Sequence, residues 1–199
     1  MPKLAEIATI RNGLAFRGRI EHDDDGDTRV LQASDLVQYP VLGADQLVCV
    51  SLGKKASRYQ LRTDDVVFSA RGQRQIAYRP NFESDDESGA GLPIITASGL
   101  IMITANQKRV LPTYLHWVLN TKPVQHRISQ FTEGTNLTFI SEKNLADVEI
   151  PLPVLAEQKK IAQLIELHSR RAKVREALAE LDEQITQATA WSLANEQLS

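Results

Sequence analysis

The sequence predicts an α+β protein: a mixed-sheet body followed by a long C-terminal coiled-coil helix. Three observations predict it. Short apolar and β-branched runs, punctuated by turn residues, fill the chain up to Ala105. Helical spacing takes over from Pro112. After Pro153, neither Gly nor Pro interrupts a heptad pattern that runs to about Ala190. In that pattern Leu164, Arg171, Leu178 and Ile185 occupy a positions, and Leu167, Val174, Leu181 and Ala188 occupy d positions. Ala, Leu, Glu, Gln, Lys and Arg fill much of the stretch, so helix propensity agrees with the period. A helix from Leu155 to Ala190 would be roughly 54 Å long, more than a body of this size needs to cover its core. Part of the seam is therefore expected to meet another helix. The alternative is a long amphipathic helix lying on its own domain. Arg171 is the irregular a position, suited to fixing register or facing an acid.

Before the helix, the elements read in order as follows. Leu4, Ile7, Ala8 and Ile10 form a short apolar segment ending at the Asn12-Gly13 turn signal. Phe16 to Asp27 reads as a loop, then Arg29 to Ala33 as a strand. Gln46 to Ser51 is a strand leading into the basic turn Leu52-Gly53-Lys54-Lys55. Val66 to Ala70 is a buried strand, and Ile76 to Tyr78 returns as another after a polar loop. Leu92 to Ala97 and Ser98 to Ala105 supply two more. Pro112 opens a helix over Thr113 to Leu119, and Pro123 opens one over Val124 to Phe131. Leu145 to Ile150 reads as a last strand, and Pro151-Leu152-Pro153 as a stiff hinge.

Bulk composition narrows the class. The 199 residues suit one domain plus an appendage. The single cysteine, Cys49, excludes an internal disulfide and a cysteine metal cluster within one chain, and fits a reducing compartment. With no signal-peptide core and no apolar run long enough to span a bilayer, a cytoplasmic protein without membrane contact is expected. A net charge of −2 argues mildly against a stand-alone nucleic-acid binder. The charges are segregated, however. Acids cluster in 21–27 and 83–87, while Lys54, Lys55, Arg58, Arg62, Arg71, Arg74 and Arg79 lie between. Such a surface can bind a polyanion despite the near-neutral total; the bland reading is solvated loops and strands.

A search for catalytic or metal-binding motifs yields nothing. The four histidines are scattered, and no phosphate loop, dinucleotide turn or nucleophile elbow is present. Asp64-Asp65 precedes a strand and is read as opening it. A binding module is therefore expected, with three polar segments as candidate DNA contacts. Lys54, Lys55 and Arg58 can reach phosphates, which position a protein without reading sequence. Arg71, Gln73, Arg74 and Gln75 offer the side chains that pair with guanine and adenine edges. Asn136 and Thr138 belong to a small, polar loop able to approach a nucleic-acid backbone closely.

The junction Ile150-Pro151-Leu152-Pro153-Val154-Leu155-Ala156-Glu157-Gln158-Lys159-Lys160-Ile161 resembles that of type I restriction-modification specificity subunits, where an Ile-Pro-Leu-Pro segment and a Glu-Gln pair lead into a long helix. Asp65 to Gly72 resembles the family's strand ending in Arg-Gly. Pro112-Thr113-Tyr114-Leu115, followed by Gly134-Thr135, resembles its path through two helices to a small-residue loop. The resemblance implies a target-recognition domain over 1–150 and a conserved spacer with a dimerising helix over 151–199. It implies a non-catalytic subunit that binds double-stranded DNA and recruits a modification (methyltransferase) subunit, to which a restriction subunit can be added. S-adenosylmethionine would sit on the modification subunit, leaving this chain without a cofactor or metal. Family members usually carry two recognition domains and two spacer helices. With one of each, the chain is expected to be either a half-length subunit that dimerises or a truncated or partner-dependent one. The heptad seam favours a homodimer through the C-terminal helix, which would read a split palindrome. A scaffold protein of this architecture that reads no DNA is the alternative; a metal-independent hydrolase is a third reading.

Overall fold

The computed structural model describes residues 1–37, 43–72, 75–80, 91–133 and 138–196, except for the side chains of Lys54, Lys55, Leu193, Asn195 and Glu196. Its helices and strands, in chain order, are α1 (Leu4–Ile7), β1 (Ala8–Asn12), β2 (Thr28–Leu31), β3 (Val48–Val50), β4 (Asp65–Ser69), β5 (Ala77–Tyr78), β6 (Ile94–Thr96), β7 (Leu100–Ala105), α2 (Pro112–Leu119), α3 (Lys122–Ser129), α4 (Glu142–Ala146) and α5 (Leu155–Glu196). The chain divides into two compact units, Met1–Gln158 and Lys159–Ser199.

The first unit is α+β and holds two sheets. One is antiparallel, in the order β1-β7-β4-β5; the other is mixed, in the order β3-β2-β6, with β2 parallel to β6. β4 sits inside the first sheet, and all five of its residues are buried. That is why Val66-Val67-Phe68 reads as an unbroken apolar run rather than an alternation. Val67 and Leu100 from this sheet pack against Leu31, Leu36 and Leu47. Fully burying each such side chain contributes about 1.5–3 kcal/mol. A second cluster gathers Val30, Val50, Ile95 and Ala97 under Leu14, Phe16 and Tyr59.

The backbone just past β1 ties the two sheets together. Beyond β1, the Gly13 amide donates to the Leu100 carbonyl (2.9 Å) and the Leu14 amide to that of Thr96 (2.8 Å). A Cβ on Gly13 would lie 2.2 Å from the Ala97 carbonyl oxygen, so only glycine lets the chain cross there. The Asn12-Gly13 signal thus marks a close crossing.

Leu145 to Ile150 does not form the strand that periodicity implies. Glu142–Ala146 is a short helix, capped where the Asn144 amide donates to Ser141 Oγ (3.1 Å). Past the helical cap at Asp147, the segment pairs, among the described residues, at the Lys3–Glu149 bridge. Leu145, Val148 and Ile150 are all buried, so a helix turn followed by extended chain exposes the same apolar residues to the core that a strand would. The first residues close this end: the Leu4 amide donates to the Val148 carbonyl, and the Ile150 amide to that of Pro2.

α2 lies against β4 and β5. Asn120, just past its end, donates to the Ala77 carbonyl (2.8 Å) and accepts from the Ala77 amide (3.0 Å), continuing the ladder beyond β5 with a side chain. On the same helix, burial holds the His116 imidazole below its ordinary pKa of 6.5, and the Arg79 charge adds to the effect. The native state therefore resists a proton that the unfolded chain accepts. Stability should fall as pH drops below about 6.5 and level off once the native imidazole also titrates. The lowered carboxylates, Asp27 and Asp147, act only below 3.8, outside this window. Denaturant melts of wild type and His116→Gln between pH 7 and 5 should diverge; parallel curves would contradict this.

The second unit belongs to α5, a 42-residue helix that begins with Leu155–Gln158 in the first unit. Leu164, Leu167, Val174, Leu178, Leu181 and Ile185 are 52–67% exposed, and Arg171 and Ala188 are exposed too. The predicted helix is therefore present, with its whole a/d seam at the surface.

Candidate nucleic-acid interface

The ladder of β4 does not stop at Ser69. The Ala70 amide donates to Gly99 and the Ile140 amide to the Ala70 carbonyl (2.9 and 3.0 Å). Arg71 then pairs with Phe139 in an antiparallel bridge. The Gly72 amide donates to the Thr138 carbonyl (3.1 Å), and the Thr138 hydroxyl returns a bond to the Gly72 carbonyl (2.9 Å). Gly72 has φ +111, a conformation open to glycine and strained for other residues, so the Arg-Gly order is a backbone requirement. Two candidate segments 66 residues apart are thereby fastened together. Arg71 is exposed, and its stem passes the Gly99 turn.

The other predicted contacts are placed differently. Gln75 is buried, 7% exposed, and its Nε2 has no partner among the described residues. As it stands it offers no edge to a duplex, because the chain has already turned inward toward β5. Gln73, Arg74 and Asn136 lie outside the described residues. Lys54 and Lys55 fall in a 3-10 turn, Gly53–Tyr59, of which only their backbone is described. Arg58, in the same turn, is exposed, and its carbonyl accepts from Arg11 Nη1 (3.1 Å). Among the described residues, no hydrogen bond or bridge joins Arg58 to the Arg71–Thr138 cluster.

Sequence reasoning missed what holds the basic turn. Asp27, at the end of the first acidic run, accepts from the Leu52 amide (2.9 Å), the Thr28 hydroxyl (2.8 Å) and the Gly53 amide (2.8 Å). Those bonds, the Leu52 amide first, lower its pKa and fix the carboxylate at the root of the lysine-bearing turn. It also missed Arg11, which reaches Thr104 Oγ1 (3.2 Å) and lies 4.0 Å from the Asp65 carboxylate. Asp65 is buried and accepts from Thr104 Oγ1 and the Arg62 amide, so this acid organises a strand start. Beside Arg11 and Arg58 is a cleft of about 280 Å³ that also reaches Asn12 and Glu142. Among the described residues, no cluster of three or more His, Cys, Asp or Glu side chains is arranged to hold a metal ion. Nor is any helix among them long and apolar enough to cross a membrane.

At the junction, Gln158 is fully buried. Its Oε1 accepts from the Leu111 amide (2.9 Å), and its Nε2 donates to the carbonyls of Arg109 (2.9 Å) and Pro153 (2.8 Å). The Tyr114 hydroxyl donates to Pro151 (2.8 Å). Through its glutamine, the Glu-Gln pair roots the first turn of α5 in the body.

The first unit is thus a two-sheet α+β body whose β4 strand end is tied to Thr138, and it roots the start of a long helix with an exposed heptad seam. The family described as the type I restriction modification DNA specificity domain matches residues 1–181, and the chain belongs to it. Three solved structures share the fold. The type I restriction-modification S subunit from M. genitalium is 12% identical, with a TM-score of 0.59 over 92% of this chain and 42% of its own. A chain from a structure of complex assembly and conformational transition of the type I R-M system is 18% identical, with a TM-score of 0.64 over 93% and 42%. The HsdS subunit from Thermoanaerobacter tengcongensis is 18% identical, with a TM-score of 0.61 over 87% and 38%. This chain therefore spans about two fifths of the length of those chains. No curated protein matches it in sequence.

Proposed function

We propose that this chain is a non-catalytic DNA-specificity subunit whose body, to about Ile150, reads one half of a split double-stranded site. The fastening of Arg71-Gly72 to Thr138 carries the reading, because it presents an exposed arginine from a rigid strand end. The helix pairs with that of a second copy in a cytoplasmic homodimer, and two-fold symmetry makes the site palindromic. A modification subunit holding S-adenosylmethionine supplies the methylation chemistry, and a restriction subunit joins through it. Lys54, Lys55 and Arg58 grip phosphates; Arg71, Gln73, Arg74, Gln75, Asn136 and Thr138 supply the reading face, with Gln75 turning outward on binding.

Selection from a randomised duplex pool tests this. Wild type should enrich a split palindrome. Arg71→Ala should relax it at one base pair per half-site, losing about 1–3 kcal/mol of discrimination. Lys54→Ala should weaken all duplexes alike and reduce the salt slope by about 0.9 for each phosphate it no longer neutralises. Binding that enriches no sequence would favour a scaffold instead.

A further inference from the structure

We infer that Phe139 and Glu133 are specificity-determining residues that read base edges beside Arg71. This inference rests on the proposed function and extends it to two side chains that the sequence did not single out. Phe139 is bridged on one side to Arg71 and on the other to Glu133, both antiparallel. Residues directly opposite in antiparallel strands project from the same face, so the three side chains form one row.

The hydrogen bonds fix the row's width. Arg71 and Phe139 are flanked by the Gly72–Thr138 and Ile140–Ala70 bonds and exchange none themselves, which makes them the narrow kind of pair. Glu133 and Phe139 exchange both bonds, at 2.9 Å each, which makes them the wide kind. The Cα span from Arg71 to Glu133 is then roughly 10 Å, within a major groove about 12 Å wide.

All three side chains are exposed, Phe139 by 39%. A cation, an apolar ring and a carboxylate side by side match three different features of base edges. Arg suits the guanine acceptors, an apolar ring the thymine methyl, and a carboxylate the cytosine amino group. The carboxylate decides which part of DNA the row faces. Against phosphates Glu133 would only repel, so a DNA-facing row that carries it must look at bases. Asn144 Nδ2 lies 3.3 Å from Glu133 Oε1 and restrains the side chain.

The test compares the full-length chain with Glu133→Gln, Phe139→Ala and Phe139→Leu in selections from one randomised duplex pool. Thermal melts confirm that each variant folds. Glu133→Gln should relax one base pair next to that governed by Arg71 and tighten binding to unselected duplex. Phe139→Ala should lose preference for a thymine at the neighbouring position, on the order of tenfold, and Phe139→Leu should keep most of it. Replacing that thymine by deoxyuridine should weaken wild type and leave Phe139→Ala unchanged. The proposal is overturned if wild type enriches a motif that Glu133→Gln and Phe139→Ala keep intact, or a motif with no thymine at that position. If wild type enriches nothing, the underlying DNA-reading function fails, and the row's role fails with it.

Discussion

Replacing Gln158 with leucine should lower the melting temperature by roughly 10 °C. Leucine keeps much of the volume and adds apolar surface, so packing alone would leave stability nearly unchanged. The loss comes from the partners. The Leu111 amide and the carbonyls of Arg109 and Pro153 all bond to this one side chain, which is fully buried. Each buried polar group left without a partner costs about 1–3 kcal/mol. Three in one network are not additive, and Arg109 is exposed while Leu111 and Pro153 are half-buried, so water relieves part of the loss; about 4 kcal/mol, near the low end of the sum, is expected. In a chain of this size each kcal/mol moves the midpoint by about 2–4 °C. Lys159→Ala, one position further on and exposed, should shift it by less than about 0.5 kcal/mol. Thermal melts followed by circular dichroism decide the matter, and equal midpoints for Gln158→Leu and wild type would contradict the anchor.

The second large effect is on assembly. Leu178→Asp should convert the proposed dimer to a monomer, halving the mass read by light scattering. Leu178 is 55% exposed in the single chain and sits at an a position midway along the seam. Covering it would contribute about 1.5–3 kcal/mol, and in a two-fold assembly each substitution counts twice. Adding the cost of placing two carboxylates in an apolar seam brings the loss above roughly 5 kcal/mol, or more than a thousandfold in dissociation constant. A mass that does not change would end the dimer reading and leave the exposed seam to some other partner.

Much of the fold is legible because most strands carry a local signature, although β1, read only as a short apolar segment, does not. Val66-Val67-Phe68 announces a buried strand, Pro112 a helix start, and the heptads a long helix. The parts that are not legible are those where one local pattern serves two structures. Leu145, Val148 and Ile150 bury equally well from a short helix with an extended tail as from a strand, and only the Ser141 cap signals the difference. The candidate site is readable as composition but not as arrangement. Arg71 and Thr138 each stand out, yet nothing local states that they are neighbours. Phe139 does not stand out, because its role depends on a bridge to a residue far away in sequence. Gln75 reads as a surface residue because polar loops usually face water; Asp27 reads as a solvated acid for the same reason.

The closure of the body by its own opening residues sets a timetable for synthesis. The Leu4 amide and the Pro2 carbonyl meet their partners only when residues 148 and 150 have left the ribosome, and the Leu111 amide waits for Gln158. β1 waits for β7, whose paired residues lie about ninety positions later in the chain. Nearly the whole body must therefore emerge before its last bonds can form, and the growing chain carries unpaired strand edges in the meantime. The β1 edge is covered once β7 has emerged, and the emergence of the helix root at Gln158 completes the last of these bonds.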